Sequence, residues 1–121
     1  MTTAQVAKKL VKYCTEGQWK KAQEELYSDH AVSIEPAGSM LTEVASGMKA
    51  IGKKGEQWQS MIEKFYGMKV DGPLVADKHF TVTMTTDVKM KGMPRSKNSE
   101  VCVFRVEDGK IVSEQFFYPV A

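Results

Sequence analysis

Three glutamates occupy positions where a carboxyl group could perform acid–base chemistry. Glu35 ends a short alternating segment and directly precedes Pro36, while Glu100 and Glu114 lie in two later alternating segments. A carboxylate that is buried among apolar groups loses solvation, which raises its pKa and lets it exchange protons near neutral pH. We therefore identify Glu35, Glu114 and Glu100 as candidate catalytic residues. The alternatives for Glu35 are a glutamate on an edge strand, exposed to water, or one that is hydrogen-bonded to the loop that follows.

The alternation along the two later segments groups their side chains into faces, because successive residues of a strand point to opposite sides. One face carries Glu100, Cys102 and Phe104, and the next strand presents Glu114, Phe116 and Tyr118. If both faces line one cavity with Glu35, the three carboxylates would repel one another, and at least one would hold a proton or a cation. A register shift of one residue would instead turn Glu100 and Glu114 to solvent and bury Val101, Val103, Ile111 and Phe117.

The spacing of apolar residues predicts the elements that must position these side chains. Three helices are expected at residues 3 to about 16, from about Gln18 to Tyr27, and from Met48 to about Tyr66. Five strands are expected at residues 31–35, 68–74, 78–90, 99–106 and 111–118, with a loop at residues 36–47. The order α-α-β-α-β-β-β-β indicates an α+β domain in which helices pack on a mostly antiparallel sheet.

Aromatic and sulfur-containing side chains on these elements are candidates for the wall of a ligand-binding pocket. The set comprises Tyr13, Tyr27, Trp58, Met61, Phe65, Cys102, Phe116 and Tyr118. An apolar wall of this kind suits a small hydrophobic molecule. The alternative for each of them is an ordinary position in the hydrophobic core.

Composition limits the classes of function. A chain of 121 residues with a net charge of +2 is expected to form one domain, spanning residues 1–121, that does not bind nucleic acid. No apolar run is long enough to cross a membrane, and the N-terminal segment has no signal-peptide pattern, so we expect a cytoplasmic protein. Cys14 and Cys102 are then expected as reduced thiols. No nucleotide-binding or metal-binding motif is present, which predicts chemistry without a cofactor.

Three stretches carry a resemblance to a known family. They are Leu-Tyr-Ser-Asp-His-Ala-Val at residues 26–32, Gly-Met-Lys-Ala-Ile at 47–51 and Asp-Gly-Lys-Ile-Val at 108–112. With the element order, they resemble the SnoaL-like part of the nuclear transport factor 2 (NTF2-like) superfamily over nearly the whole chain. The resemblance implies a cone-shaped, cystatin-like fold in which a strongly curved sheet wraps three helices and leaves a pocket. Members include cyclases, isomerases, hydrolases, dehydratases and binding domains, so fold alone does not assign a function.

The same resemblance implies a catalytic role for one residue and argues against one specific activity, that of a ketosteroid isomerase. In ketosteroid isomerases a carboxylate before a proline on the first strand is the general base, which would be Glu35 here. The acid and the tyrosine that stabilise the enolate in those enzymes would fall near Cys102 and Leu10, neither of which can act as such a donor. The resemblance therefore implies a possible base without the isomerase partners.

Three functions follow as hypotheses. The first is binding of a small hydrophobic molecule in an apolar pocket that carries carboxylates. The second is a cofactor-free cyclase, isomerase or hydratase that uses Glu35 or Glu114 as general acid or base. The third is a non-catalytic homodimer that pairs through the outer sheet face, with Thr81, Thr83, Thr85, Val101, Val103 and Phe117.

Overall fold

The computed structural model describes residues 1–120, which form three helices and six strands. The helices are α1 (Thr3–Thr15), α2 (Trp19–Leu26) and α3 (Met48–Met61). The strands are β1 (Tyr27–Ile34), β2 (Val44–Ser46), β3 (Ile62–Ala76), β4 (His79–Met90), β5 (Arg95–Glu107) and β6 (Lys110–Phe117). None of the helices in this part of the chain is long and apolar enough to cross a membrane.

The six strands form one curved sheet in the order β2-β1-β6-β5-β4-β3. Only the pair β1 and β6 is parallel, and the other neighbours are antiparallel. This parallel pair is possible because the long excursion through β2 to β5 returns the chain to the edge of β1. The predicted α+β architecture, with helices on a mostly antiparallel sheet, is confirmed.

Helix α1 begins and ends at residues suited to those positions. The Thr2 hydroxyl accepts from the Gln5 amide and the Gln5 side chain accepts from the Thr2 amide, which is a complete capping box. Gly17 follows the helix with a φ of 72°, a conformation that costs glycine little. The buried stripe of α1 packs mainly on β3 and α2, so that this helix closes one side of the core.

The hydrophobic core lies between the helices and the concave face of the sheet. Phe80 of β4 and Phe104 of β5 are directly paired and almost fully buried, and their rings stack at a centroid distance of 4.7 Å. Offset stacking of this kind adds to the free energy of burying two large rings. The core is therefore organised around the middle of β4 and β5, and Glu114 lies directly beside it as the cross-strand partner of Phe104.

Several element boundaries differ from the sequence prediction. Strand β1 begins at Tyr27 and not at residue 31, and β5 begins at Arg95 and not at residue 99. The segment predicted as a loop contains β2, which pairs with β1 through Val32 and Ser46. Helix α3 ends at Met61, not near Tyr66, and Phe65 lies in β3. Pairing of β3 with β4 along residues 62–76 overrides the helical spacing, and an aromatic pair such as Phe65–Tyr66 suits a strand.

A bulge in β6 decides the register question for Glu114. Val106 pairs with Ile111 and Arg105 with Ser113, so one extra residue, Val112, is accommodated between them. The bulge reverses the alternation, and both Ile111 and Glu114 are buried on the concave side. Under strict alternation Ile111 and Glu114 would point to opposite faces, so only one of them could have been buried.

The outer face of the sheet leaves apolar side chains in contact with solvent. Val101 and Phe117 are cross-strand partners and both are exposed. Thr83, the neighbour of Val101 on β4, is exposed beside them. This arrangement suits the homodimer predicted from the sequence, which stays a prediction.

Burial in the core predicts the outcome of a matched pair of leucine substitutions. Leu10 is 1% exposed and Leu74 is 75% exposed. We expect Leu10→Ala to lower the free energy of unfolding by about 2–5 kcal/mol, because it removes buried methyl groups and leaves a cavity. Leu74→Ala should change it by less than about 0.5 kcal/mol. Urea unfolding measures both, and equal losses would contradict the assigned burial.

Candidate functional site

A chain of polar side chains crosses the interface between α3 and the sheet. Strand β1 contributes Ser33 and the residue after its end, Glu35, because its odd-numbered positions face inward. Strand β6 contributes Glu114, which lies beside Ser33 through the parallel pairing. Helix α3 packs on β1 and β2 and places Lys54 over these groups. Four polar side chains are thus buried in one place.

Glu114 is held at the inner end of this chain. Ser33 Oγ donates to one carboxyl oxygen at 2.6 Å, and the Tyr27 hydroxyl donates to the other. Burial raises the pKa of Glu114, while these two hydrogen bonds oppose the rise. Burial and the adjacent Glu114 also raise the pKa of Tyr27 well above its usual value. With both oxygens engaged, Glu114 has a structural role in holding Ser33 and Tyr27.

Lys54 is the cation of the site and is only 7% exposed. Its Nζ lies 2.7 Å from Glu35 Oε2, donates to Ser33 Oγ and stands 5.1 Å from the centre of the Phe116 ring. An ammonium group has three hydrogens, and these three partners can use all of them. The buried charge is therefore compensated on every side that it presents.

Sequence reasoning did not identify Lys54, although its position carried a signal. Lys54 lies three residues after Ile51 and four before Trp58, so helical spacing puts all three side chains on one stripe of α3 whose other members are apolar. A charged residue on a buried helical stripe requires a partner of opposite charge in the interior. That partner is Glu35.

The second oxygen of Glu35 connects the buried ion pair to the surface loop. The Tyr118 hydroxyl donates to Glu35 Oε1 at 2.6 Å and lies 2.6 Å from Ser39 Oγ. Burial, followed by the hydrogen bond to Glu35, raises the pKa of Tyr118. Both oxygens of Glu35 are engaged, and the loop after β1 is tied to the end of β6.

Glu100 differs from the other two glutamates because its carboxyl group is mostly free. It is half-buried and pairs across the strands with Met84. Within residues 1–120 its side-chain hydrogen bond comes from the Cys102 thiol, which donates to Oε1 at 3.6 Å. Burial raises the pKa of Glu100 to about 7, and the negative charge of Glu35 adds to the rise. Glu100 can therefore hold or release a proton near neutral pH.

The predicted wall residues fall into two groups. Tyr27, Phe116, Tyr118 and Cys102 contact the glutamates or Lys54. The others lie elsewhere: Tyr13 donates to Glu25 between α1 and α2, Trp58 and Phe65 pack against Trp19, and Met61 lines a surface groove. A role in ligand binding stays a prediction for both groups.

Two grooves, of about 270 and 320 Å³, are lined by residues other than the three glutamates. An apolar cavity beside Glu35 therefore stays a prediction. Across residues 1–120, no three His, Cys, Asp or Glu side chains are arranged to hold a metal ion. Cys14 and Cys102 are both free and buried, and burial raises their pKa, that of Cys14 to about 12.

The buried ion pair predicts a strong effect of removing one charge. We expect Lys54→Met to lower the free energy of unfolding by about 3–5 kcal/mol, because Glu35 is left buried without a counter-charge. The double variant Lys54→Met/Glu35→Met should recover most of this loss, since it removes both charges. Lys53→Met, on the exposed side of the same helix, is the control and should change stability by about 0.5 kcal/mol or less. A single variant as stable as this control would contradict the burial of the pair.

The raised pKa of Glu100 predicts a pH dependence of stability. Between pH 4.5 and about 7 the unfolded chain has lost this proton and the folded chain still binds it, so stability falls as pH rises through this window. We expect Glu100→Gln to reduce that fall and to be more stable than the wild type at pH 8, by about 2 kcal/mol. Glu107→Gln, on the same strand, should keep the wild-type profile. Urea unfolding across this range tests the expectation, and identical profiles for wild type and Glu100→Gln would refute it.

Comparison with known proteins identifies the family to which this chain is similar. The model of the SnoaL-like domain family matches residues 1–118. A candidate SnoaL-like polyketide cyclase from Mesorhizobium loti is 32% identical and superposes with a TM-score of 0.89, covering 98% of this chain and 100% of that one. No functionally curated protein matches the sequence.

Two more distant structures share the fold. A protein of unknown function with a cystatin-like fold from Xanthomonas campestris is 20% identical, and an NTF2-like protein of unknown function from Burkholderia pseudomallei is 14% identical. Each superposes with a TM-score of 0.83 and covers 98% of this chain and 91% of its own. The match over residues 1–118 and the identity to the Mesorhizobium loti protein agree: the chain belongs to the SnoaL-like domain family.

Proposed function

We propose that this chain binds a small, largely apolar molecule whose polar group lies against Glu100, at the margin of the Lys54–Glu35 ion pair. The observation that carries the proposal is the unequal use of the three carboxyl groups. Glu35 and Glu114 are each hydrogen-bonded on both oxygens, whereas Glu100 is half-buried and meets only a thiol in the described part of the chain. A carboxyl group in this state keeps hydrogen-bonding capacity that a ligand could use.

The energetics of the ion pair support a functional site. Burying two charges costs several kcal/mol per ion in desolvation, and a well-packed apolar pair is often at least as stable. Groups with perturbed pKa values cluster at binding and catalytic sites for this reason. Glu100 has such a pKa, raised by burial and then by the charge of Glu35, and the buried Lys54–Glu35 pair beside it packs against the Phe116 ring.

Proton transfer is a second candidate function, favoured by the pKa of about 7 for Glu100. The ionised carboxylate can remove a proton from carbon next to a carbonyl, and the protonated form can donate to the carbonyl oxygen. This moves the acid–base role from Glu35 or Glu114, as the sequence suggested, to Glu100. Burial, and after it the negative charge of Glu35, keeps the pKa of Glu100 high.

A carbonyl-bearing ligand is consistent with the description of the Mesorhizobium loti relative as a candidate polyketide cyclase. In the present site the neutral form of Glu100 would bind a carbonyl oxygen as a hydrogen-bond donor. The ionised form would repel an anionic ligand, and so would Glu35. The proposal therefore concerns neutral molecules.

A simple probe tests whether Glu100 can act as a base on a bound apolar molecule. 5-Nitrobenzisoxazole loses its carbon-bound proton to a base, and the electron pair then breaks the ring N–O bond to release a coloured phenolate. We expect the wild type to accelerate this elimination with a rate that rises through about pH 7, as Glu100 ionises. A positioned base contributes about a hundredfold at the lower end. Removing it in Glu100→Gln should therefore lower the rate by at least tenfold.

The control is Glu107→Gln, which changes a carboxylate on the same strand that is paired with Arg105 at the surface. It should keep the wild-type rate and pH profile. If wild type and Glu100→Gln give the same rate and pH profile, Glu100 is not the base. If the probe also fails to shift any amide resonance near Glu100, the proposed binding site is wrong for neutral apolar molecules.

A further inference from the structure

One end of the sheet is more basic than the rest of the molecule. It is formed by residues 61–67, where β3 begins, and residues 87–98, which contain the end of β4, the turn and the start of β5. This basic end carries five Lys or Arg side chains and two Asp or Glu side chains, a net charge of +3. The remaining 12 basic and 13 acidic side chains of the chain leave a net charge of −1. The positive charge of the protein is therefore concentrated at this end.

Two of the five basic side chains have acidic partners at the surface. Arg95 donates to both carboxyl oxygens of Asp87 at 2.9 and 2.8 Å, and Lys89 Nζ lies 2.8 Å from Glu63. Three exposed lysines have no ion-pair partner among residues 1–120: Lys64, Lys91 and Lys97. The excess positive charge therefore rests on ammonium groups that are free to meet an anionic partner.

Exposed apolar side chains lie at the same end. Met93, in the turn between β4 and β5, is 58% exposed, and Met40, which lines the same groove, is 75% exposed. Tyr66 is 40% exposed, and the Arg95 guanidinium lies 3.7 Å from the centre of its ring. The basic end thus presents flexible apolar side chains and an amphipathic aromatic ring next to unpaired lysines.

This combination fits the surface of an anionic lipid bilayer. Lysines close to an anionic leaflet each strengthen binding about fivefold. Tyrosine is enriched at the boundary between headgroups and acyl chains, and methionine side chains adapt to irregular apolar surroundings. A nucleic acid would use the lysines but would leave Met40 and Met93 in water. The apolar side chains therefore favour a lipid surface over a nucleic acid.

We propose that the basic end docks this protein on the surface of an anionic bilayer. Met40 and Met93 enter the headgroup region, and Lys64, Lys91 and Lys97 face the anionic headgroups. A contact of this kind lies on the membrane and needs no segment that spans it. The inference goes beyond the proposed ligand site and shares no residue with it.

Co-sedimentation with vesicles measures this docking through the partition coefficient. We expect the protein to bind vesicles of phosphatidylcholine mixed with phosphatidylserine, to bind pure phosphatidylcholine at least tenfold more weakly, and to be released by about 1 M salt. Lys91→Gln and Lys97→Gln should each weaken binding about fivefold, because each removes one charge near the leaflet. Met93→Ser should weaken it at least threefold, because it removes apolar surface that enters the bilayer.

Matched controls lie at the opposite end of the sheet. Lys78 precedes β4 and is exposed, and Leu74 is 75% exposed on β3. Lys78→Gln and Leu74→Ser repeat the same chemical changes away from the basic end, and both should keep the wild-type partition coefficient. All of the substituted side chains are exposed or lie in a turn, so thermal unfolding should change little in these variants.

Each other outcome overturns the proposal. If the protein sediments with neither vesicle, or equally with both, the basic end does not recognise an anionic bilayer. If Lys91→Gln and Met93→Ser match their controls, the protein docks through another surface. If single-stranded RNA binds with the same dependence on Lys91 and Lys97 while vesicles do not, the partner is a nucleic acid. None of these results affects the Glu100 site, which is tested without vesicles.

Discussion

The buried ion pair between Lys54 and Glu35 is the interaction on which the rest of the site depends. It joins α3 to the end of β1 at a depth where neither charge reaches much water. Its desolvation cost is offset only because Ser33, Tyr118 and the Phe116 ring complete the surroundings of both groups. The position of α3 over the sheet is therefore specified by polar contacts as well as by apolar packing, and the same contacts set the charge that Glu100 experiences.

The three glutamates have unequal roles because their surroundings are unequal. Hydrogen bonds occupy both oxygens of Glu114 and both oxygens of Glu35, and these groups act on the rest of the site through position and charge. Burial and then the charge of Glu35 raise the pKa of Glu100, which lacks equivalent hydrogen bonds. Two carboxylates that hold the geometry and one that titrates form a division of labour that is common where proton transfer occurs.

The sequence predicted most of the fold and part of this site, and the failures have physical causes. Alternation along β4 correctly indicated which face turns inward. Along β1 it separated Ser33 and Glu35 from Val32 and Ile34 but left open which pair is buried. It could not reveal the bulge at Val112, because a bulge is a property of two paired strands. The helical spacing of apolar residues extended the predicted α3 past Met61. The pairing of β3 with β4, which ends the helix there, is a long-range contact that local spacing does not show. Lys54 was missed because a lysine is expected at the surface, although its place on the buried stripe of α3 was visible.

The most direct test of the account is a crystal structure of the protein with decan-2-one bound. The account predicts that the ketone oxygen lies within hydrogen-bond distance, about 2.5–3.0 Å, of a Glu100 carboxyl oxygen. A ketone bound with its oxygen away from Glu100, while the Lys54–Glu35 pair stays intact, would contradict the central claim that the free carboxyl group marks the ligand site.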